Sequence, residues 1–266
     1  METPVPGPRR SLVLVLVVHL DPDLAALRPL GGFFVLRTTA AAAGPAPAAL
    51  PTLAETCETA ASDVSRNALT YRVATVADRL RTPELRVSAS ISHQGLAARL
   101  WSAALACAAV YGRVPDLDPR LLRWDAAATA PEDLWLTEVR PLPGDAATLA
   151  DTVLHGNLEP LGEALRARYG IAAGLLWGNA GSALAGAARE LDRWARATGR
   201  TEVADRARTL TDELFAHPLL RTTGTRTGTA FRRRSCCLYY RVPGGGVCGD
   251  CCFTRPPRSS PHAASG

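Results

Sequence analysis

The stretch "SCCLYYRVPGGGVCGDCC", Ser235 to Cys252, holds five of the seven cysteines of a 266-residue chain. Four of them, Cys236, Cys237, Cys248 and Cys251, form the pattern C-C-x10-C-x2-C, and Cys252 follows directly. Such bunching favours metal ligation over disulfides, because small secreted domains spread their cysteines to staple loops. A C-x-x-C pair can chelate one metal, since the intervening turn brings both sulfurs to one side with backbone N–H groups pointing at them. Adjacent Cys236 and Cys237 would point apart in a strand. They need a bent backbone or must serve two different metals. A diamond-shaped 2Fe-2S core with two thiolates per iron tolerates that better than one tetrahedral zinc. Gly244, Gly245 and Gly246 give the linking loop conformational freedom and unshielded amides that can bond to sulfur. On spacing alone 2Fe-2S leads, zinc stays open, and a disulfide knot trails both.

Charge isolates the same segment. The chain has no lysine, so its 30 basic residues are all arginine. From Arg221 onward eight arginines face the single acid Asp250, whereas the first 220 residues are slightly acidic. Arg232, Arg233, Arg234 and Arg241 flank the cysteines, and electrostatic tuning of an anionic cluster or docking of its partners is the expected use of the four. Nucleic acid is not expected, because the rest of the chain is acidic and no nucleic-acid-binding motif accompanies the run. Gly244-x-Gly246-x-x-Gly249 formally matches a dinucleotide fingerprint, but a candidate ligand sits inside it and no amphipathic helix follows. Electrons are therefore expected from a donor protein or a flavin reductant.

The scaffold must come from the preceding residues, which at 47% hydrophobic content for the whole chain can bury a core. Arg9-Arg10 before "SLVLVLVVHL" mimics a twin-arginine export signal, yet the run is too short to span a membrane and lacks a cleavage site close behind. A cytoplasmic protein without an integral membrane segment is expected, with room for peripheral contact at the inner membrane face. Residues 39–50 read as a loop, and Thr52 with Glu55 has capping-box spacing for a helix through Asn67. "LRVSASIS" (Leu85 to Ser92) and "DLWLTEVRPL" (Asp133 to Leu142) read as strands. Gly95 to Tyr111 suits a buried helix. Leu154, Leu158, Leu161 and Leu165 are helical in spacing, with Pro160 expected to break or kink the helix and Gly170 to end it. "LLWGNAGSALAGAARELDRWARA" reads as one long helix whose Gly178, Ser182 and Gly186 share a face open to close approach. A last helix runs from Thr201 as N-cap to His217, and "LLRTTGTRTGTAF" reads as a connector.

The cysteine pattern resembles that of the ferric-siderophore reductases of the FhuF type. "LGGFFVLRT", "GLAARLWSAALACA", "LLWGN" and "FRRRSCCLYYRVPGGGVCGDC" are similar to stretches of actinobacterial members, so the likeness spans most of residues 27 to 252. The resemblance implies a 2Fe-2S cluster on Cys236, Cys237, Cys248 and Cys251, with no counterpart for Cys252. It implies one-electron reduction of Fe(III) in a siderophore or similar chelate, which labilises the metal because hard oxygen ligands hold Fe(III) more tightly than Fe(II). The alternatives are a non-enzymatic cluster carrier or siderophore-pathway accessory domain, and a zinc-stabilised structural protein. The expected architecture is mainly helical α+β, with a few short strands and a C-terminal cysteine-rich lobe. Its expected divisions are an N-terminal segment of open role (1–24), a helical α+β domain (25–220), a cluster lobe (221–255) and a disordered tail (256–266).

The remaining chemistry-bearing residues have blander expectations. His93, His155 and His217 lie near expected helix ends and read as caps or core. The five tryptophans read as core, with room for one or two to stack on a catecholate. Asn179 is expected to bridge helices, and Cys57 and Cys107 to be small buried hydrophobes.

Overall fold

The computed structural model describes residues 24–38, 50–58, 67–128 and 133–257. The export-like segment, most of the 39–50 loop and the tail from residue 258 lie outside them. In chain order the elements are β1 (Arg37–Thr38), α1 (Leu53–Cys57), α2 (Ala68–Leu80), α3 (Leu85–Tyr111), β2 (Arg113–Pro115), β3 (Leu122–Trp124), β4 (Leu134–Leu136) and β5 (Pro141–Pro143). Then α4 (Ala146–Leu149) runs through a π-helical stretch (Ala150–Leu158) into α5 (Glu159–Tyr169), followed by α6 (Ala173–Ala197), α7 (Thr201–Ala216) and the hairpin β6 (Gly224–Thr227) and β7 (Ala230–Arg233). The expected mainly helical α+β class is what the chain adopts.

Helix α3 is the axle. It packs on α2, α6 and α7 and is buried over most of its surface beyond the exposed first turn, Trp101, Leu105 and Cys107 among its fully enclosed residues. A helix so covered shows no apolar stripe, which is why its first two turns were misread: Leu85 to Ser92 is helix, not strand. Its serines serve the interior. Ser92 Oγ bonds back to Ser88 O at 2.8 Å, and Ser90 reaches the cysteine lobe. Gly112, in the left-handed conformation, ends the helix.

The strands form a small sheet of order β1-β4-β3, with β1–β4 parallel and β3–β4 antiparallel, and an antiparallel pair β2–β5 whose β2 packs on α3. The expected strand Asp133 to Leu142 is thus two strands, β4 and β5, in different sheets. Arg99 on α3 ties this side together. Its Nε bonds Asp133 at 3.0 Å, and its other nitrogens reach the carbonyls of Gly32, Phe33 and Val35. The 31–35 segment is thereby clamped over the helix.

The Thr52–Glu55 capping box is present, but α1 ends at Cys57, and Asn67 instead caps α2 by accepting from the N–H groups of Leu69 and Thr70. Pro160 does not end the helix. It follows directly on the π-helical stretch, whose wider turns interrupt the α pattern where the proline ring and its missing N–H would not fit it. Gly170 ends α5 as expected. Arg200, not Thr201, is the N-cap of α7, which stops at Ala216 before Pro218. The threonine-rich connector is half hairpin. Gly228, at φ +60, makes the tight turn between β6 and β7.

Candidate iron-sulfur site

The lobe sits on α6, and the small-residue face of that helix receives one end of it. A Cβ at Gly178 would overlap Ser235 Oγ and approach Arg233, and one at Gly181 would meet Thr223 Oγ1 at 2.6 Å. Ser182 Oγ donates to Asp250 at 2.7 Å, and Arg189 pairs with the same carboxylate at 3.1 Å. Asp250, buried at 8% exposure, also accepts the Arg233 N–H on its carbonyl, pinning the C-x-x-C turn to β7 and α6 together. As the sole acid in the basic C-terminal segment it was visible in the sequence, but its task was not. The expected close approach fails at Gly186, where an added Cβ meets only the Arg189 side chain at 3.9 Å.

The five thiols fall into two groups. Cys237 and Cys248 lie 3.5 Å apart. The sulfurs of Cys236, Cys251 and Cys252 all lie within 4.8 Å of one another. Two thiolates on one tetrahedral metal, each at about 2.3 Å, stand about 3.7 Å apart. The adjacent cysteines are therefore split between the groups, one to each, and so are the members of C-x-x-C. The backbone bends to allow this: Leu238 takes φ +68, a left-handed conformation that a side chain of its size rarely adopts. Gly244, at φ +72, and Gly245, whose Cβ would strike the Tyr239 and Val242 carbonyls, turn the loop back toward Cys248.

Amides point at the sulfurs. Leu238 N–H donates to Cys236 Sγ at 3.2 Å and Phe253 N–H to Cys251 Sγ at 3.4 Å. In the inner pair, the bond from Cys248 holds the Cys237 thiol low against the opposing effect of burial, with help from the Tyr239 N–H and Arg233, while Cys248 is pushed up. Cys236 is raised to about 11, chiefly by burial.

Beneath the inner pair is a buried polar relay. Ser90 Oγ donates to the Cys237 carbonyl at 2.8 Å, and Asn179 Nδ2 donates to both Ser90 oxygens. Arg233, at 2% exposure, donates to Asn179, Gln94 and the Leu175 carbonyl, all neutral. Asn179 thus bridges helices as expected. Arg233 has no carboxylate within 4.0 Å among the described residues, and its Nε and the Ser235 Oγ are buried without partners. An enclosed cation with unused donors beside four or five thiols fits an anionic metal-sulfur group. The other arginines of the run differ. Arg232 and Arg234 are exposed, and Arg241 pairs with Glu84 at 2.8 Å.

A cavity of about 510 Å³ opens beside Cys248, between α3, α6 and the clamped 31–34 segment. Gly186, Gln94, Ser102 and Arg189 contribute to its walls, and half-exposed Phe33 stands at its edge. No tryptophan lines it. Trp101 and Trp124 are buried, while Trp135 and Trp194 lie under Arg37 and Arg200. His93 is core, as expected. His217 is the C-cap of α7, as expected, its Nδ1 accepting the Leu219 N–H at 3.3 Å, whereas His155 is exposed and pairs with Glu159; the two rings touch at 5.4 Å, away from the thiols in sequence. Cys107 is buried and Cys57 half-buried, its thiol pushed up to about 12 by burial.

Split thiols, amides aimed at sulfur and an enclosed counter-charge define an iron-sulfur protein on a helical scaffold. Residues 233–253 match the family model described as the FhuF 2Fe-2S C-terminal domain, and residues 94–230 match that of the ferric iron reductase FhuF-like transporter. The chain belongs to this FhuF-like family, and its cofactor is a 2Fe-2S cluster. No curated protein matches the chain. Among the described residues no helix is long and apolar enough to cross a membrane.

Proposed function

We propose that this protein reduces Fe(III) held in siderophores or similar chelates by one-electron transfer, releasing Fe(II). Cys237 with Cys248 would hold one iron of the cluster, and Cys236 with Cys251 the other. The observation that carries the reading is the division of the thiols, a pair at 3.5 Å and a separate group within 4.8 Å, one group for each iron of a two-iron core. When bound, the cluster supplies single electrons. The chain's own residues do the rest. Arg233 offsets the negative charge, Asp250 and Ser182 hold the loop on α6, and the cavity beside Cys248 gives a ferric chelate a concave approach to the inner pair.

The test is the anaerobically purified protein. Two irons, two labile sulfides and a red-brown colour bleached by dithionite are expected, followed by single-turnover release of Fe(II) from a ferric siderophore into a ferrous-specific trap. Stoichiometric zinc without visible absorbance would replace the reading by a structural zinc protein. Faster delivery of the cluster to an apo-acceptor than of electrons to any chelate would replace it by a carrier.

A further inference from the structure

The cysteine site has two sides, and only the inner one adjoins the cavity. Beside the outer group, Cys236, Cys251 and Cys252, the surface carries Phe253, 37% exposed, while the similarly exposed Tyr239 and Val247 belong to the loop that links Cys237 to Cys248. Phe253 is braced edge-on by Tyr240 at 5.8 Å, and its own N–H bonds Cys251, so this ring stands at the thiols rather than remote from them. Basic groups frame it. Arg232 reaches the Cys252 carbonyl at 3.1 Å, and the alternation of β7 turns Arg232 and Arg234 outward while Phe231 and Arg233 turn in. Arg255 is exposed two residues beyond Phe253. Arg226 and Arg241 are neutralised by Asp212 and Glu84, but Arg232, Arg234 and Arg255 have no carboxylate within 4.0 Å among the described residues.

We infer that this outer face is the docking surface for an acidic one-electron carrier protein, which delivers electrons to the outer thiol group while the chelate is served from the cavity beside Cys248. The inference rests on the proposed reductase function, which requires a donor. An exposed aromatic ring among arginines without carboxylate partners is what protein interfaces enrich at their centres, whereas a small chelate needs a concave site. Opposite charge speeds the encounter of two proteins, and that steering weakens as salt shortens the screening length. A membrane surface would also answer to charge, but it gains nothing from being centred on the thiols.

The experiment uses oxidised holoprotein and a pre-reduced acidic plant-type ferredoxin as the probe, mixed by stopped flow over an ionic-strength series. R232E, R234E and R255E combined should slow cluster reduction about tenfold or more at low salt, with the gap closing above about 0.5 M. The variant's visible spectrum and its reduction by photoreduced 5-deazariboflavin, a neutral small reductant, should match the parent. Equal rates with equal salt dependence for parent and variant would overturn the inference. So would an unchanged ferredoxin rate accompanied by loss of sedimentation with phosphatidylserine vesicles, which would make this a membrane-facing surface. A parent that accepts ferredoxin electrons in the charge-dependent manner but gives none to any ferric chelate would uphold the docking face and overturn the reductase reading, so the two failures are distinguishable.

Discussion

The inner thiol pair and the outer thiol group are built on opposite plans. Cys237 and Cys248 lie over a buried relay of Ser90, Asn179 and Arg233, with one sulfur for each position and nothing to spare. Cys236, Cys251 and Cys252 are half-buried, three sulfurs within 4.8 Å, flanked by solvent-exposed arginines and the Phe253 ring. Charge follows the same division, since Arg233 is enclosed and Arg232 and Arg234 are hydrated. The difference teaches that proximity in sequence says little about environment: Cys236 and Cys237 are neighbours in the chain and belong to different sides of the site.

The sharpest way to break this comparison is to remove sulfurs one at a time. Cys237→Ser and Cys248→Ser should abolish the cluster, because no other thiol shares the inner position. Cys236→Ser and Cys251→Ser should lose or shift it, while Cys252→Ser should leave the spectrum nearly unchanged. Iron content and visible spectra decide, and loss of iron from the Cys252 variant alone would overturn the ligand assignment.

The seat of the lobe gives the next largest effect. Gly178→Leu must displace Ser235 and Arg233, and overpacking of this kind costs about 1–3 kcal/mol or more. Gly186→Leu, which meets open space in the cavity, should melt within a degree or two of the parent but slow chelate reduction. Equal melting of the two variants would remove the distinction.

The enclosed ground beneath the inner pair should also show in acid. Burial, with the nearby Arg233 charge, lowers the pKa of His93 from 6.5 to about 3. Below 6.5 the unfolded chain binds a proton that the folded chain refuses, so stability should fall with falling pH toward 3, by up to about 1.4 kcal/mol per unit. Above 6.5 this contribution is complete. Urea midpoints at pH 7 and pH 5 should separate in the parent and converge in His93→Leu.

The smallest effect separates the arginines. Reduction of a cluster with four thiolates, two sulfides and two Fe(III) takes its charge from −2 to −3, so nearby positive charge raises its potential. Arg233→Met should lower the potential by roughly tens of millivolts. Arg232→Ala with Arg234→Ala should move it less, because water screens exposed charges. Anaerobic potentiometry compares them, and an equal or larger shift from the exposed pair would show that burial does not set the coupling.

Much of this was legible beforehand wherever the signal is local. The thiol spacing, the Thr52–Glu55 box, the left-handed stop at Gly170 and the long helix α6 depend on residues a few positions apart, and each appeared. Misreadings came where neighbours distant in sequence decide. Leu85 to Ser92 alternates like a strand, yet it is helical because α2, α6 and the lobe pack on it and bury Val87 to Ser90. The Thr-Gly repeat before Phe231 lacks a strand's alternation and reads as a connector, although β-branched residues around a glycine turn are a hairpin signal.

By itself the sequence determined that this chain would gather thiolates at its C-terminus, on a helical body, beside an excess of arginine. Those are properties of composition and spacing, and no folding is needed to read them. Only the tertiary structure decided which cysteine joins which, that Asp250 anchors the loop, and that Arg233 turns inward while Arg232 and Arg234 face water. The physical reason is that β7 alternates its side chains between α6 and solvent, so the worth of each charge depends on the dielectric around it, and that is set by residues more than fifty positions away in the chain.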